Sequence, residues 1–126
     1  MTGNIDSVTD KAVILPQALS RDPAGLAWQP FRAGIEVSWL YRNGDHGPAA
    51  AFLRYAPGAG VPHHLHAGYE HVMVLQGSQS DHNGRHSAGA LVINPPGTSH
   101  EVVSDEGCIV LIIWERPIIL TPAPAG

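Results

Sequence analysis

A stretch of nine residues, 63–71 with the sequence HHLHAGYEH, holds four of the chain's eight histidines together with one glutamate. In a β-strand, residues two apart point to the same face, so His64 and His66 would form a chelating pair. The next three residues make a short turn, after which Glu70 opens another strand and can bring its carboxylate back beside the two imidazoles. The spacing therefore predicts three metal donors at one point of the chain.

A fourth donor, His100, follows the turn sequence NPPGTS. It would join the other three if the strand that begins there lies beside them in a rolled sheet. Three neutral imidazoles and one carboxylate suit one divalent transition metal, Fe(II) or Zn(II), with Mn(II) and Ni(II) as further candidates. A single histidine is more often found at a sheet edge or in solvent, but the constellation favours a metal site.

The other histidines are interpreted as surface or supporting residues. His63 and His71 point away from the predicted ligand face by strand alternation. His46, His82 and His86 lie in or beside loops, where a polar side chain needs no special explanation.

The spacing resembles that of the cupin superfamily, whose first motif is G(X)5HXH(X)3,4E(X)6G and whose second is G(X)5PXG(X)2H(X)3N. Nine positions match, and Ser104 stands where the second motif has asparagine. The matching residues are Gly58, His64, His66, Glu70 and Gly77 in the first motif and Gly89, Pro95, Gly97 and His100 in the second.

The resemblance implies an all-β double-stranded β-helix, a jelly-roll barrel that holds one metal ion near its mouth through His64, His66, Glu70 and His100. It covers about residues 31–116 and is strongest with the cupin domain of the ChrR-type anti-sigma factors. Those proteins also carry a helical zinc domain that binds the sigma factor. This sequence has neither the length nor the extra cysteine and histidine ligands expected of that domain, so the anti-sigma activity is not carried over.

The sequence around the predicted metal ligands favours short strands. Eleven prolines and fourteen glycines interrupt the chain at the spacing of strands and turns rather than of helices. The Asn-Gly pair in HNGR at 82–85 suits a type I′ hairpin. Strands are predicted at 34–42, 49–55, 70–76, 89–94, 100–103 and 108–114.

Three segments are predicted around this sheet: an N-terminal wrapping arm at 1–30, the barrel at 31–116 and a C-terminal tail at 117–126. Pro16, Pro23 and Pro30 interrupt the arm, whose Leu19, Leu26 and Trp28 are expected to cover the barrel. The run 108–114 is apolar on both faces, which predicts a strand covered twice within the domain or packed against a second copy in a homodimer.

Residues that share a face with the predicted ligands are candidates for substrate contacts. Alternation from Glu70 places Val72 in the lumen, and Phe52 and Arg54 are predicted to share the lumen face of the preceding strand. The Arg54 guanidinium could bind a substrate carboxylate, while an ion pair with Glu36 or Glu101 explains it equally well.

Composition narrows the remaining classes of function. The formal charge of −4 and the single lysine, Lys11, argue against binding to nucleic acid. The first residues lack the pattern of a secretion signal and no apolar run is long enough to span a bilayer, so we expect no membrane contact and a cytoplasmic location. One cysteine, Cys108, excludes an internal disulfide and a zinc site built from several thiolates.

Two functions remain open. The resemblance implies a mononuclear metal-dependent dioxygenase that cleaves a small diketone or aromatic ketone, with Glu70 as a base if it releases the metal. The alternative is a non-catalytic sensor or regulatory module in which the same four residues enclose zinc and the protein responds to a small effector. Metal identity, coordination number and the presence of a deep apolar pocket would separate the two.

Overall fold

The computed structural model describes residues 11–19 and 25–121, and within them the secondary structure is built from ten β-strands that pair antiparallel. The neighbours run β1-β2-β3-β9-β5-β8-β4-β10, with β6 and β7 also pairing with β5. The strands are β1 Gln29–Arg32, β2 Ile35–Arg42, β3 Ala49–Tyr55, β4 Gly60–Leu65, β5 Glu70–Asp81, β6 Gly84–Ser87, β7 Leu91–Asn94, β8 Ser99–Val103, β9 Cys108–Trp114 and β10 Ile119–Leu120.

The long strand β5 joins the two halves of the barrel. Its first part pairs with β7 and β9, and its last residues pair with β6 and β8. Between them the pairing with β9 shifts register after Val74, and Gly77 follows with a φ of 72°. A Cβ at Gly77 would overlap the carbonyl oxygen of Gly107. The strand therefore bends where a glycine allows it, and the sheet curls into the jelly roll that the sequence predicts.

Side chains of the adjacent strands β2, β3 and β9 form much of the core. Ile35 and Val37 of β2, Leu53 of β3 and Val110 of β9 are at most 2% exposed. Because neighbouring side chains along a strand point to opposite faces, one face of each strand is committed to the interior of the barrel. This interior is also where the candidate site lies.

The six predicted strands are all present, and four further strands are not in the sequence prediction. The missed strands are short or carry proline: β4 contains Pro62, and β10 has two residues. Tertiary pairing stabilises them, since β4 pairs with both β8 and β10. Local residue preference alone does not identify such strands.

The predicted hairpin at 82–85 is confirmed, but its turn type is different. Asp81 pairs with Gly84, so His82 and Asn83 form the loop, and neither has a positive φ. A type I′ turn requires positive φ at both central residues. Instead, the Asp81 carboxylate accepts a hydrogen bond from the Asn83 backbone nitrogen at 2.9 Å, and Gly84 takes the positive φ of 119°.

Residues of both predicted terminal segments contribute to the sheet. Strand β1 crosses the boundary predicted at residue 30, and β10 lies within the predicted tail. Of the predicted covering residues, Leu26 and Trp28 are partly buried, while Leu19 is 52% exposed. Pro23 and the ends of both terminal segments lie outside the described residues. No helix in the described part is long and apolar enough to cross a membrane.

Candidate metal centre

Four buried side chains meet inside the barrel and form what we call the donor cluster: His64, His66, Glu70 and His100. One potential ligand atom from each lies within 4.8 Å of the corresponding atoms of the others. The residues are 1–6% exposed. The sequence prediction of these four residues as one group therefore agrees with their placement.

Pairing between β4 and β8 brings the histidines together. His64 lies directly opposite His100 in this pair of strands. His66 follows the end of β4, where its backbone nitrogen donates to the Thr98 carbonyl at 2.9 Å and its carbonyl accepts from the Gly97 nitrogen at 2.9 Å. The sequence between Pro95 and His100 thus forms the turn that holds the third imidazole in place.

Each imidazole uses its Nδ1 atom for a hydrogen bond away from the cluster. His64 Nδ1 donates to the Pro62 carbonyl at 2.8 Å, and His66 Nδ1 donates to Thr98, whose carbonyl and hydroxyl oxygens both lie at 3.0 Å. The third, His100 Nδ1, lies 2.7 Å from a carboxylate oxygen of Asp81. A carbonyl can only accept, so the neutral His64 and His66 rings carry their proton on Nδ1 and leave Nε2 free to bind a metal.

The free Nε2 atoms show that a metal ion fits this site. Those of His66 and His100 are buried and find no hydrogen-bond partner among the described residues. His66 Nε2 lies 3.4 Å from Glu70 Oε1, and two donors on one tetrahedral ion at about 2.1 Å are separated by about 3.4 Å. Buried polar atoms without partners are costly, and a divalent ion would satisfy them.

Glu70, the first residue of β5, is fixed by two donors. Asn94 Nδ2 donates to its Oε1 at 3.0 Å, and Trp114 Nε1 donates to its Oε2 at 2.8 Å. Burial acts to raise the pKa of Glu70, but the neighbouring His66 and His64 imidazoles and the Asn94 hydrogen bond outweigh it, so the pKa lies below its ordinary value of 4.5. Glu70 is therefore an anionic donor at neutral pH.

The imidazoles opposite Glu70 are held in their metal-binding, neutral form. Burial lowers the pKa of His64 below 6.5 despite the hydrogen bond to Pro62, and the nearby His100 lowers it further. Burial likewise lowers the pKa of His100, although the Asp81 carboxylate acts in the opposite direction. Protons therefore compete weakly with a metal ion for these nitrogens at pH 7.

A cavity of about 200 Å³ opens beside the donor cluster, and His64, Glu70 and His100 form part of its wall. Most of the remaining wall is apolar and aromatic. Trp39 and Trp114 have ring centroids 6.0 Å apart, and Phe31 lies 5.8 and 6.3 Å from them. Further apolar lining comes from Leu53, Val61, Val72, Val92, Val102, Ile112 and Ile118.

Of the three predicted substrate contacts, one lines the cavity and two do not. Val72 lines the cavity as expected, but on β3 the lining residues are Leu53 and Tyr55. The prediction that Phe52 and Arg54 face the lumen is therefore wrong by one residue, and such a shift reverses the face of every side chain in a strand. Phe52 is buried on the opposite face of the sheet.

Arg54 forms an ion pair with Glu36, which is the alternative to a contact with a substrate carboxylate. Its Nε and Nη2 atoms donate to Glu36 Oε1 at 3.0 and 2.7 Å, and the two residues are cross-strand neighbours. The guanidinium carbon lies 4.4 Å from the centroid of the Trp28 ring. Both side chains of the ion pair remain more than 40% exposed.

Sequence reasoning missed four residues that support the site. Trp114 and Asn94 hold Glu70, while Asp81 bonds to His100 and to His86 Nε2, the latter at 3.0 Å. His86 is thus a cavity residue rather than a solvated one. Asn94 and Trp114 pair with Glu70 across β7 and β9, so correct pairing of those strands would have identified them.

Ser104, which stands in place of the motif asparagine, forms hydrogen bonds just after the end of β8. Its hydroxyl donates to the Ser78 carbonyl at 2.6 Å, and its backbone bonds to Ala59 and Gly58. The side chain is fully buried. The departure from the motif is therefore accommodated away from the donor cluster.

Comparison with known sequences gives a family for this chain. The family model described as the ChrR cupin-like domain matches residues 16–116. The anti-sigma-E factor ChrR of Cereibacter sphaeroides is 33% identical over 94 residues, which make up 72% of this chain and 43% of that protein. The matched region thus spans less than half of the relative.

Similar solved structures share this fold. They include an RmlC-like cupin from Ralstonia eutropha (TM-score 0.71, 22% identity, 81% of this chain and 71% of that one). The Rhodobacter sphaeroides complex of SigE with the anti-sigma ChrR gives a TM-score of 0.62 at 30% identity, over 70% of this chain and 49% of that one. An acetylacetone dioxygenase from Acinetobacter johnsonii gives 0.72 at 14% identity, over 95% and 83%.

The cupin fold, the buried cluster of three histidines and one glutamate and the match over most of the sequence agree with one another. The chain belongs to the ChrR cupin-like domain family.

Proposed function

We propose that this protein is a mononuclear metal-dependent dioxygenase that acts on a small diketone or aromatic ketone. The observation that carries the proposal is the cavity of about 200 Å³, whose wall includes three members of the donor cluster. A structural zinc site is closed by its four protein ligands and needs no adjoining space. A mostly apolar cavity with a smaller number of polar groups is the usual form of a small-molecule site.

The size and lining of the cavity limit the substrate. A cavity of about 150 Å³ holds a benzene molecule, so this one suits a single ring with a small substituent or an open chain of similar volume. The three aromatic rings provide flat apolar surfaces for such a molecule. Its oxygen atoms would face His64, Glu70 and His100, the part of the wall that the donor cluster forms.

The residues divide the work between holding the metal and holding the substrate. His64, His66, Glu70 and His100 would hold Fe(II), with Mn(II) and Ni(II) as further candidates. The bound ion would supply Lewis acidity toward the substrate oxygens and the electron transfer that reaction with O₂ requires. Val72 and the aromatic residues would exclude water and orient the substrate against the cluster.

Glu70 has a defined place in this scheme. Its two carboxylate oxygens accept hydrogen bonds from Asn94 and Trp114, which fix its orientation toward the histidines. This supports its role as a ligand. Its action as a base would require release from the metal while those two hydrogen bonds persist, and it stays a prediction.

A regulatory module that binds zinc is the second candidate, and family membership favours it. The relative at 33% identity is an anti-sigma-E factor, and one similar structure is a complex of ChrR with SigE. In this case a small effector would bind in the cavity, and a protein partner would respond to that binding.

Metal analysis and oxygen uptake separate the two functions. The protein would be purified without added metal or chelator, its metal content measured, and O₂ uptake followed with small diketones and aromatic ketones after loading with Fe(II). The dioxygenase proposal predicts uptake that depends on both substrate and iron. Tightly held zinc, with no uptake under any metal loading, would favour the regulatory module.

The His66→Ala variant is the control for this experiment. Loss of one of four donors leaves the others in poor geometry, so metal occupancy and uptake should fall together. Arg54→Gln, which alters a side chain outside the cavity, should keep both. Full metal retention by His66→Ala would contradict the proposed ligand set.

We further propose that the protein forms a homodimer through the outer surface of β7, β5 and β9, here called the outer face. Leu91 and Ile93 are about half exposed, and Ile113 is 42% exposed. Met73 and His71 of β5 pair with residues of both neighbouring strands, so these side chains form one continuous patch. Contiguous exposed apolar surface of this kind is typical of an interface.

A further inference from the structure

The three imidazoles of the donor cluster differ in what orients them. His64 and His66 donate to backbone carbonyls, that of Pro62 within β4 and that of Thr98 just before β8. His100 instead bonds to a side chain of another strand: its Nδ1 lies 2.7 Å from Asp81 Oδ2. His100 is on β8, whereas Asp81 is the last residue of β5.

The Asp81 carboxylate is itself held firmly. Its side chain is 3% exposed. The other oxygen, Oδ1, accepts from His86 Nε2 at 3.0 Å and from the Asn83 backbone nitrogen at 2.9 Å. A buried carboxylate is stable when its oxygens are hydrogen-bonded in this way, so Asp81 presents a fixed acceptor to the histidine.

The direction of the Asp81–His100 bond determines what His100 can do. An ionised carboxylate only accepts, so His100 must donate its Nδ1 proton. The Nε2 lone pair is then turned toward His64 and His66, where this atom is buried without a hydrogen-bond partner in the described residues. A carboxylate behind a metal-binding imidazole also makes the nitrogen a stronger donor.

We propose that Asp81, held by His86, is the positioning residue for His100: it fixes the tautomer and orientation in which His100 binds the metal. This inference rests on the proposed metal site. The β5–β6 hairpin then has a function, because it holds the Asp81 carboxylate. Asn83 in the loop and His86 in β6 both donate hydrogen bonds to it.

The variant that tests this proposal is Asp81→Asn, which keeps the side-chain volume and removes the charge. Affinity for Zn(II) and Co(II) would be measured by competition with a chelator at pH 7.5. Loss of such a supporting group typically weakens metal binding about 10- to 100-fold, and this is the expected result. The visible spectrum of bound Co(II) should also shift, since it reports the geometry of the ligands.

Glu106→Gln is the matched control. Glu106 is another carboxylate near the same hairpin, where it bonds to Ser78 Oγ and Arg85 Nη2 at 2.7 Å each. It should keep the wild-type affinity and spectrum. An unchanged affinity and spectrum in Asp81→Asn, or an equal loss in both variants, would overturn the positioning role. Absence of metal binding in the wild type would instead refute the metal site itself.

A measurement on the unaltered protein covers the case in which Asp81→Asn does not fold. Long-range proton–nitrogen NMR distinguishes the two imidazole tautomers directly. The proposal predicts that neutral His100 in the metal-free protein carries its proton on Nδ1. A proton on Nε2 would contradict it.

Discussion

At the scale of residues, the site depends on the way each imidazole uses its two nitrogens. The Nδ1 atoms bond outward to Pro62, Thr98 and Asp81, and the unpartnered Nε2 atoms of His66 and His100 are buried inside the cluster. This arrangement was partly predictable. The spacing identified the four donors, but the partner of His100 comes from a hairpin whose position depends on the bend at Gly77.

The buried histidines predict how the metal-free protein responds to acid. Burial lowers the pKa of His64 and His100 below 6.5, so the unfolded chain takes up protons on them that the folded protein resists. Stability should therefore fall as the pH drops below 6.5. The lowered pKa values of Glu70 and Asp81 act in the same direction below 4.5 and 3.8.

Thermal unfolding of the metal-free protein between pH 7.5 and 5 measures this effect. The double variant His64→Gln, His100→Gln removes both groups and should show a smaller slope over this range. An equal slope in the variant and the wild type would show that other groups cause the acid sensitivity.

The lining of the cavity gives a prediction about substrate contacts. Val72→Phe places a larger side chain in the cavity and should lower kcat/KM about tenfold or more, which corresponds to ~1.4 kcal/mol, with the metal retained. Arg54→Gln should leave kcat/KM within about twofold, because Arg54 does not line the cavity and its exposed ion pair contributes at most about 1 kcal/mol to stability. Steady-state kinetics on an active ketone would check both, and a large loss in Arg54→Gln would restore a substrate role for that residue.

At the scale of elements, the bend in β5 decides which side chains reach the site. Glu70 and Val72 line the cavity before the register shift, and Gln79, Ser80 and Asp81 line it afterwards. The even-numbered alternation of the first part of β5 thus does not continue through its last residues. A constant alternation through the sequence cannot place both ends of this strand correctly, which is why Asp81 and His86 were not predicted.

The same bend predicts a difference between two glycines of the motif. Gly77 and Gly58 both have positive φ, 72° and 85°, but a Cβ would overlap Gly107 at the first and meet nothing within 4 Å at the second. Gly58→Ala should therefore cost roughly 1–2 kcal/mol from backbone strain alone. Gly77→Ala should cost clearly more, since β5 and β9 must separate.

Chemical denaturation of the two glycine variants, with metal removed from all samples, provides the comparison. Equal losses of stability would contradict the close approach of β5 to the 107–108 segment.

At the scale of the whole molecule, the outer face predicts the oligomeric state. Ile93→Asp puts a charge within the apolar patch and should convert a dimer to a monomer, as measured by light scattering after size exclusion. Val103→Asp is the control, because Val103 is a similarly β-branched residue, 38% exposed, on β8. A monomeric wild type, or a dimer unaffected by Ile93→Asp, would contradict the proposed interface.

The overall architecture was more accessible from sequence than its details. Motif spacing and the turns around Gly58, Pro95 and Gly97 gave the barrel and the donor cluster. The strands β4 and β10 and the inward face of β3 depend on which strands become neighbours, and that information is spread over the whole chain. The doubly apolar strand 108–114 was correctly predicted as β9, whose outward Ile113 is part of the outer face.

We propose that His64, His66, Glu70 and His100 together hold one metal ion. The most direct test is the anomalous scattering of crystals of the protein, measured at the absorption edges of iron and zinc. We expect a single strong peak per chain at about 2.0–2.2 Å from one atom of each of the four residues. A peak that lacks any of these contacts, or no peak after loading with Fe(II) and Zn(II), would contradict it.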